Sequence, residues 1–277
     1  MRPQLANSYN PNKVYSNSQW LASPKLDGIR CLYYSADRGL TSRSQKLSYV
    51  GFEEIETNCQ MLCADNKLSF LDGELFIKNE KFDVISGIVR DRTNYDINAK
   101  ARVEFHIFAV GSIDAPKMPA GLMYDLMRSA IPNTGRVRYL PHTYIRNTPA
   151  AVQAEAELVK SSDRSDEGIM LRNPSSVYED GRSNNLLKVK NFVKSNFTIV
   201  GFTKGIGKYS NSLGNLVIRG MVDGMTINSR VGSGFSDLQR SNIWTNQASH
   251  LGKDVEVIYL GATPGGSLRH PTFSQFV

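Results

Sequence analysis

Short apolar or aromatic segments, each bounded by turn residues, follow one another along most of this 277-residue sequence. Such segments are typical of β-strands. Helical patterns are fewer: apolar residues recur at helical spacing between 52 and 63, and Thr148 followed by Pro149 has the form of an N-cap with a first-turn proline. The sequence therefore predicts a strand-rich chain with a few helices, whose first strands lie at 26–34, 68–77, 103–110, 168–172 and 186–189.

The pattern changes after Lys190. Four or five short strands punctuated by glycine follow, and the segment SDLQRSNIWTNQA between them has the form of one helix capped by Ser236 or Asp237. A β-β-β-α-β order over about 80 residues suits a small barrel such as an OB-fold, which is a common nucleic-acid platform. We therefore expect two domains, 1–192 and 193–277, with the boundary within 191–195.

Composition excludes several classes of protein. No stretch approaches the ~20 consecutive apolar residues of a membrane span, and the first 20 residues contain no signal-peptide core. The sequence has three cysteines, an odd number that argues against a disulfide scaffold. The spacing of Cys59 and Cys63 fits neither a zinc knuckle nor a redox pair. The sequence predicts a cytoplasmic protein with no membrane association. Its net charge of +7 is compatible with a polyanionic partner but does not identify one.

Common nucleotide and hydrolase motifs are absent from the sequence. The string GIGKYS at 205–210 resembles a phosphate-binding loop, but Phe202 stands where the first glycine belongs and Tyr209 where Ser or Thr belongs. There is also no HExxH, GxSxG or dinucleotide fingerprint. If the chain uses a nucleotide, it does so without a P-loop.

Charged residues recur in a few strand-like strings. The string SPKLDGIR at 23–30 places Lys25 and Asp27 on one face if it is extended, and LDGEL at 71–75 does the same for Asp72 and Glu74. Two lysines on one face of LLKVK at 186–190 are unusual in an apolar context, because desolvated ammonium groups need a nearby anion. The remaining strings are FHIF at 105–108 and DEGIM at 166–170.

Taken in order, these strings resemble the nucleotidyltransferase motifs of ATP-dependent DNA ligases, a superfamily that also contains mRNA capping enzymes and RNA ligases. The resemblance runs from Lys25 to Phe273 and includes TSRS at 41–44 and RHPTF at 269–273. It is nearest to the minimal two-domain ligases of bacteria and phages. The resemblance implies an α+β nucleotidyltransferase domain built on antiparallel sheets with flanking helices, followed by a C-terminal OB-fold barrel.

The resemblance also implies a chemistry. Lys25 would attack the α-phosphate of ATP and carry AMP as a covalent phosphoramide. A free lysine has a pKa of about 10.4, and the positive charges of Lys188 and Lys190 would disfavour its protonated form. Those two lysines would also neutralise charge developing on the phosphate, and Asp27 would position a reacting group.

The other implied roles concern the nucleotide, the metal and the nick. Mg²⁺ or Mn²⁺ would be bound by Glu167 and Glu74, because hard cations prefer carboxylate oxygens. The substrate would be nicked double-stranded DNA and the enzyme a monomer. The nucleotide and phosphate contacts implied by the resemblance are Arg30 and Glu74 for the ribose hydroxyls, Phe108 for adenine, Arg43 for the 5′-phosphate of the nick and Arg269 for pyrophosphate.

One departure and three alternatives accompany this interpretation. Many family members carry Glu two residues before the nucleophile, near the adenine amino group, where this sequence has Ser23. The alternatives are an RNA ligase, an mRNA capping-type nucleotidyltransferase and a non-catalytic nucleic-acid-binding protein of OB type. The sequence leaves open whether the biological role is replication, repair or recombination.

Overall fold

The computed structural model describes residues 2–37, 39–132, 134–162 and 167–277, which form two compact units, Met1–Val189 and Lys190–Val277. The strands of the first unit alternate with helices. Its strands are β1 (Gln4–Ser8), β2 (Gln19–Pro24), β3 (Ile29–Tyr34), β4 (Leu40–Ser42), β5 (Leu68–Phe76), β6 (Glu104–Ser112), β7 (Val137–Tyr139), β8 (Thr143–Arg146), β9 (Gly168–Arg172) and β10 (Gly181–Lys190). Its helices are α1 (Glu53–Asp65), α2 (Phe82–Arg90), α3 (Ile97–Ala101), α4 (Ala120–Ala130) and α5 (Pro149–Ser161).

These strands form two five-stranded sheets. The first sheet has the order β1-β10-β9-β2-β8 and the second has the order β4-β3-β5-β6-β7. Most neighbouring strands whose pairing is resolved are antiparallel, but β1 runs parallel to β10 and β6 parallel to β7. The chain passes from the first sheet to the second directly between β2 and β3, and this passage carries the first of the charged strings.

Each sheet buries one face against helices. The larger core joins the second sheet to residues of α1, α2 and α4, and a smaller core joins the first sheet to α5. Thr148 caps α5 by accepting a hydrogen bond from the Ala151 N–H at 3.2 Å, as the sequence predicts. The described residues contain no helix that is both long and apolar enough to cross a membrane.

The second unit is a small sheet of five strands with one main helix. It contains β11 (Val193–Lys204), β12 (Leu213–Val222), β13 (Met225–Val231), α6 (Asp237–Thr245), α7 (Gln247–His250), β14 (Asp254–Tyr259) and β15 (Thr272–Phe276), and its strand order is β13-β12-β11-β14-β15. Ser236 begins α6 with a capping box shared with Gln239. The predicted β-β-β-α-β order is present, and the RHPTF string leads into a further strand.

Three free cysteines lie in the core of the first unit. Cys31, Cys59 and Cys63 are at most 3% exposed, and burial raises the pKa of each thiol. The value for Cys63 is about 12. Because the thiolate is the reactive form, these thiols are inert while the unit is folded.

Candidate active site

Lys25 lies where the chain crosses between the two sheets. The predicted strand at 26–34 is wrong at its first three residues, because β2 ends at Pro24 and β3 begins only at Ile29. The crossing is held by the Lys25 N–H, which donates to the Gly168 carbonyl at 2.8 Å. Lys25 and Asp27 therefore belong to a connection rather than to one strand face.

Gly28 is required by a close approach of the backbone. A Cβ at this position would lie 2.4 Å from the Leu75 carbonyl oxygen and 2.9 Å from Cγ of Glu74. Real Cβ atoms do not approach a backbone oxygen so closely, so the crossing can press against β5 only if residue 28 has no side chain.

The antiparallel pairing of β2 with β9 brings Lys25 beside Glu167. Ser23 pairs with Met170 and Pro24 with Ile169, so the residues just beyond these pairs meet. The Lys25 ammonium donates to Oε2 of Glu167 in a largely shielded ion pair. The SPKLDGIR and DEGIM strings, which are more than 130 residues apart in sequence, are thus joined through Lys25 and Glu167.

Arg30 is held on the second sheet by a bidentate ion pair. Its Nε donates to Oδ1 of Asp72 at 2.9 Å, its Nη2 to Oδ2 of Asp72 at 2.5 Å, and its Nη1 to the Gln4 carbonyl at 2.8 Å. Burial alone would lower the pKa of Arg30, but Asp72 raises it above its ordinary value. Asp72 is fully buried and acts as a structural carboxylate.

Glu74 lies opposite Arg30 in the β3–β5 pairing. Burial raises the pKa of Glu74 to about 8, the charges of Lys25 and Arg30 oppose that rise, and those of Asp72 and Glu167 add to it. None of the described residues donates a hydrogen bond to this carboxyl group. Glu74 is therefore a half-buried carboxyl group close to Lys25 and Glu167, and its oxygens accept no hydrogen bond from the described residues.

Phe108 lies on the same side of the second sheet as Arg30. The Phe108 ring is partly exposed, whereas its neighbours on the other face of β6, Ile107 and Ala109, are fully buried. The Arg30 guanidinium carbon lies 5.2 Å from the centre of the Phe108 ring, within the range of a cation–π interaction. The ring therefore packs against the larger core and also lies on the side of the sheet that carries Arg30.

The predicted lysines of the LLKVK string are at the end of β10. Lys188 and Lys190 alternate with Val189, and the Lys188 carbonyl accepts a hydrogen bond from the Tyr9 N–H at 3.0 Å. Val189 and Lys190 are also where the two compact units divide, close to the expected boundary at 192. The domain limits given above remain a prediction.

Two other predicted residues, Arg43 and Arg269, lie outside β2, β3, β5 and β9. Arg43 is exposed just beyond β4 and makes no hydrogen bond or ion pair with another residue in the described ranges. Arg269 belongs to the C-terminal unit, where its N–H donates to the Gly261 carbonyl at 2.8 Å and its carbonyl accepts from the Leu260 N–H at 3.0 Å. Asp166, the first residue of the DEGIM string, lies outside the described residues.

Sequence reasoning missed three residues of the site's surroundings. Gln4, Arg172 and Tyr178 are all buried or half-buried near Arg30 and Asp72. Tyr178 donates to Oδ2 of Asp72 at 2.6 Å, and Arg172 donates through Nη1 to Oε1 of Gln4. Burial lowers the pKa of Arg172 to about 10. No spacing in the sequence connects these residues, although an arginine ending an apolar strand such as β9 is a weak signal of a buried ionic partner.

The geometry therefore groups a lysine, two carboxylates, an arginine and an aromatic face at the crossing between two sheets. Residues 3–190 match the family model described as "ATP dependent DNA ligase domain", and residues 204–276 match that described as "DNA ligase OB-like domain". The chain belongs to the ATP-dependent DNA ligase family. It is accordingly an enzyme with a nucleotidyltransferase-type domain followed by an OB-like domain.

Individual relatives agree with the family assignment. A DNA ligase of Haemophilus influenzae is 25% identical over 274 residues, covering 97% of this chain and 90% of the relative. A DNA ligase of Enterobacteria phage T3 is 24% identical, covering 92% and 88%.

Solved structures of ligases share the fold. A Lig E DNA ligase has a TM-score of 0.76 and 23% identity, covering all of this chain and 99% of the other. Chlorella virus DNA ligase-adenylate has a TM-score of 0.54 and 25% identity, covering 100% and 98%. The α+β architecture with an OB-like C-terminal domain, expected from the sequence, is confirmed.

Proposed function

We propose that this ligase seals nicks in duplex DNA through a lysyl-AMP intermediate on Lys25. The observation that carries the proposal is the position of Lys25, whose amine lies at the crossing between the sheets, paired with Glu167 and close to Glu74. The DNA ligase family membership supplies ATP and DNA as substrates. Nicked duplex DNA, a monomeric enzyme and a cytoplasmic location are parts of the same proposal.

The first step forms a P–N bond at Lys25. The Nζ lone pair attacks the α-phosphorus of ATP, the bond to the bridging oxygen breaks, and pyrophosphate leaves while the amine proton passes to solvent. The ion pair with Glu167 must open for this step, since an ammonium group has no lone pair to donate. Lys188 and Lys190 would neutralise charge that develops on the phosphate.

The remaining steps move AMP onto the DNA and then release it. The 5′-phosphate oxygen of the nick attacks the lysyl-AMP phosphorus and frees Lys25, after which the 3′-hydroxyl attacks the activated 5′-phosphorus and AMP leaves. We assign Arg43 to the 5′-phosphate, Asp27 to positioning of a reacting group, and Arg269 to pyrophosphate in the first step.

The nucleotide itself would lie against the second sheet. Phe108 presents a ring face for adenine stacking, and Glu74 has unused acceptor capacity for a ribose hydroxyl. Arg30 uses three of the five N–H donors of a guanidinium on Asp72 and Gln4, so two remain for the ribose. Base selectivity would have to come from groups other than residue 23, which is a buried serine.

The carboxylates of this site fit a divalent cation in chemistry and in number. Within the described ranges no three His, Cys, Asp or Glu side chains form a metal cluster, but Mg²⁺ commonly binds to one or two carboxylates and completes its shell with phosphate oxygens and water. Glu167 and Glu74 would hold Mg²⁺ or Mn²⁺, and the bound ion would supply positive charge to the phosphate oxygens of ATP.

A label-transfer experiment tests the proposed function. The enzyme is incubated with ATP or GTP labelled at the α-phosphate and with Mg²⁺, the labelled protein is isolated, and nicked DNA or nicked RNA is added. We expect label from ATP on the protein and its transfer to nicked DNA with sealing. Label from GTP, or transfer to RNA in preference to DNA, would contradict the proposal in favour of a capping-type or RNA-ligating activity.

A further inference from the structure

The proposed active site has two walls that belong to different sheets. Lys25 and Glu167 flank the ends of β2 and β9 in the first sheet, whereas Arg30 and Glu74 lie on β3 and β5 in the second. Attack at the α-phosphorus requires the amine and the nucleotide to be held within a few tenths of an ångström of a productive geometry. The relative position of the two sheets therefore matters for the reaction.

A buried hydrogen-bond network crosses from one sheet to the other beside this site. Tyr178, in the connection from β9 to β10, donates from its hydroxyl to Oδ2 of Asp72 at 2.6 Å and accepts from the Gln4 N–H at 3.0 Å. The Gln4 carbonyl accepts from Nη1 of Arg30 at 2.8 Å. Gln4 lies on β1 of the first sheet, while Asp72 and Arg30 lie on the second, so these bonds close a ring across the sheets.

The network also reaches the strand that follows Glu167. Gln4 and Asp72 are both 0% exposed, and Oε1 of Gln4 accepts from Arg172, the last residue of β9. The strand β9 begins at Gly168, immediately after Glu167. Covalent and hydrogen-bonded connections thus run from Glu167 along β9, through Arg172 and Gln4, to Arg30.

Tyr178 is suited to act as the donor in this ring. Burial and the charge of Asp72 raise its pKa far above the ordinary value of tyrosine, so the hydroxyl stays protonated. A Phe at this position would leave the Gln4 N–H without an acceptor and Asp72 with one donor fewer. Arg30 shares both of these partners, so its position would be the first to change.

We propose that Tyr178 and Gln4 are positioning residues, which hold the Arg30 guanidinium at a fixed place relative to Lys25 and so set the ribose contact of the bound nucleotide. The inference rests on the proposed function, because it assumes that Arg30 contacts the ribose. The proposal gives two residues that lie outside every sequence motif a role in the adenylation step.

The test compares ATP with its 2′-deoxy and 3′-deoxy analogues in the formation of the covalent adduct. The variants are Tyr178→Phe and Asp72→Asn, and the matched control is Tyr124→Phe, which removes a hydroxyl from another buried tyrosine of the same unit. For Tyr178→Phe we expect KM for ATP to rise roughly three- to tenfold, the net worth of about one hydrogen bond, with kcat changed less than about twofold. The preference for ATP over the deoxy analogues should shrink by a similar factor.

Each outcome decides the inference. A variant that only loosens the fold lowers the melting temperature without altering the ratio of KM values between ATP and its analogues, so an unchanged ratio in a folded Tyr178→Phe would overturn it. If Tyr178→Phe does not fold, Asp72→Asn alone decides by the same ratio. Failure of the proposed function is distinguishable, because the wild-type enzyme would then form no adduct with any of the nucleotides.

Discussion

The ammonium of Lys25 and the carboxylate of Glu167 form an ion pair in which the lysine side chain is 22% exposed and the glutamate side chain 10% exposed. The Coulomb attraction within a pair so shielded from water is larger than at the surface, and removing one partner leaves the other charge uncompensated. The pair joins the SPKLDGIR string to the DEGIM string, and the chemistry proposed for this ligase begins by opening it.

Replacing Lys25 should abolish the covalent adduct. Neither Lys25→Ala nor Lys25→Arg provides an unprotonated amine at the crossing, so labelled AMP on the protein should fall below detection. Sealing of a nick that is already adenylated should persist, because that step uses no lysyl-AMP, and it reports that the variants are folded. Substantial adduct at wild-type level in either variant, measured by mass spectrometry, would exclude Lys25 as the nucleophile.

Glu167→Gln should slow adduct formation by more than about tenfold and raise the Mg²⁺ concentration needed for half-maximal rate. The amide keeps the shape of the side chain but loses the charge that a hard cation and the Lys25 ammonium both require. The matched control is Glu157→Gln on the exposed side of α5, where the carboxylate accepts a hydrogen bond from Gln153. Identical Mg²⁺ titrations for the two variants would contradict the assignment.

Glu74 should make the stability of the nucleotide-free enzyme depend on pH. Its pKa is about 8 in the folded protein against an ordinary value of 4.5, so the folded state binds the extra proton between these values. The contribution of Glu74 to stability is therefore greatest at low pH and falls as pH rises through this window. Relative to Glu74→Gln, the wild-type melting temperature should drop by roughly 6–13 °C between pH 5.5 and 8.5. Parallel melting curves would show that burial does not perturb this carboxyl group.

Gly28→Ala should destabilise the first unit by about 1–3 kcal/mol, because the new methyl group meets the Leu75 carbonyl. Gly87→Ala is the opposite case: a Cβ on this helical residue meets nothing within 4 Å, so alanine should stabilise α2 by about 0.5–1 kcal/mol. Urea midpoints of the two variants should move in opposite directions. A Gly28→Ala midpoint at or above wild type would show that the crossing can relax without cost.

Loss of the C-terminal unit should flatten the salt dependence of DNA binding. Residues 195–277 contain seven Lys and Arg against four Asp and Glu, and each phosphate contact contributes about 0.9 to the slope of log affinity against log salt. A fragment ending near Ser195 should bind a nick with a smaller slope and form the ATP adduct poorly, since Arg269 is then missing. Equal slopes for the fragment and the full chain would mean that this unit makes no net phosphate contacts.

The parts of the fold that the sequence predicts well are those set by local signals. The caps at Thr148 and Ser236 and the strand 168–172 follow from neighbouring residues alone, and the structure has them as expected. The start of β3 does not follow from neighbouring residues. The sequence from Lys25 to Gly28 resembles a strand, but these residues connect the two sheets. Which sheet a segment joins depends on partners that are far away in sequence.

The residues of the candidate site also fall into two groups, those that local sequence reveals and those that it does not. Lys25, Glu167, Arg30 and Glu74 are visible because each stands in a short string whose charge is out of place beside apolar neighbours. Gln4 and Tyr178 are not, since Gln4 contributes mainly through its backbone and Tyr178 through one hydroxyl. A polar residue that serves as a relay between strands leaves no periodic signal.

The buried cysteines give the N-terminal unit a built-in reporter. All three thiols of the chain lie in its core and the C-terminal unit has none, so a thiol reagent can label the protein only when the first unit opens. Labelling kinetics in native buffer would measure the opening of that unit alone, with no mutation or attached dye. If ATP slows the labelling of Cys31, Cys59 and Cys63, the decrease in rate would measure how much nucleotide binding suppresses the opening of this unit.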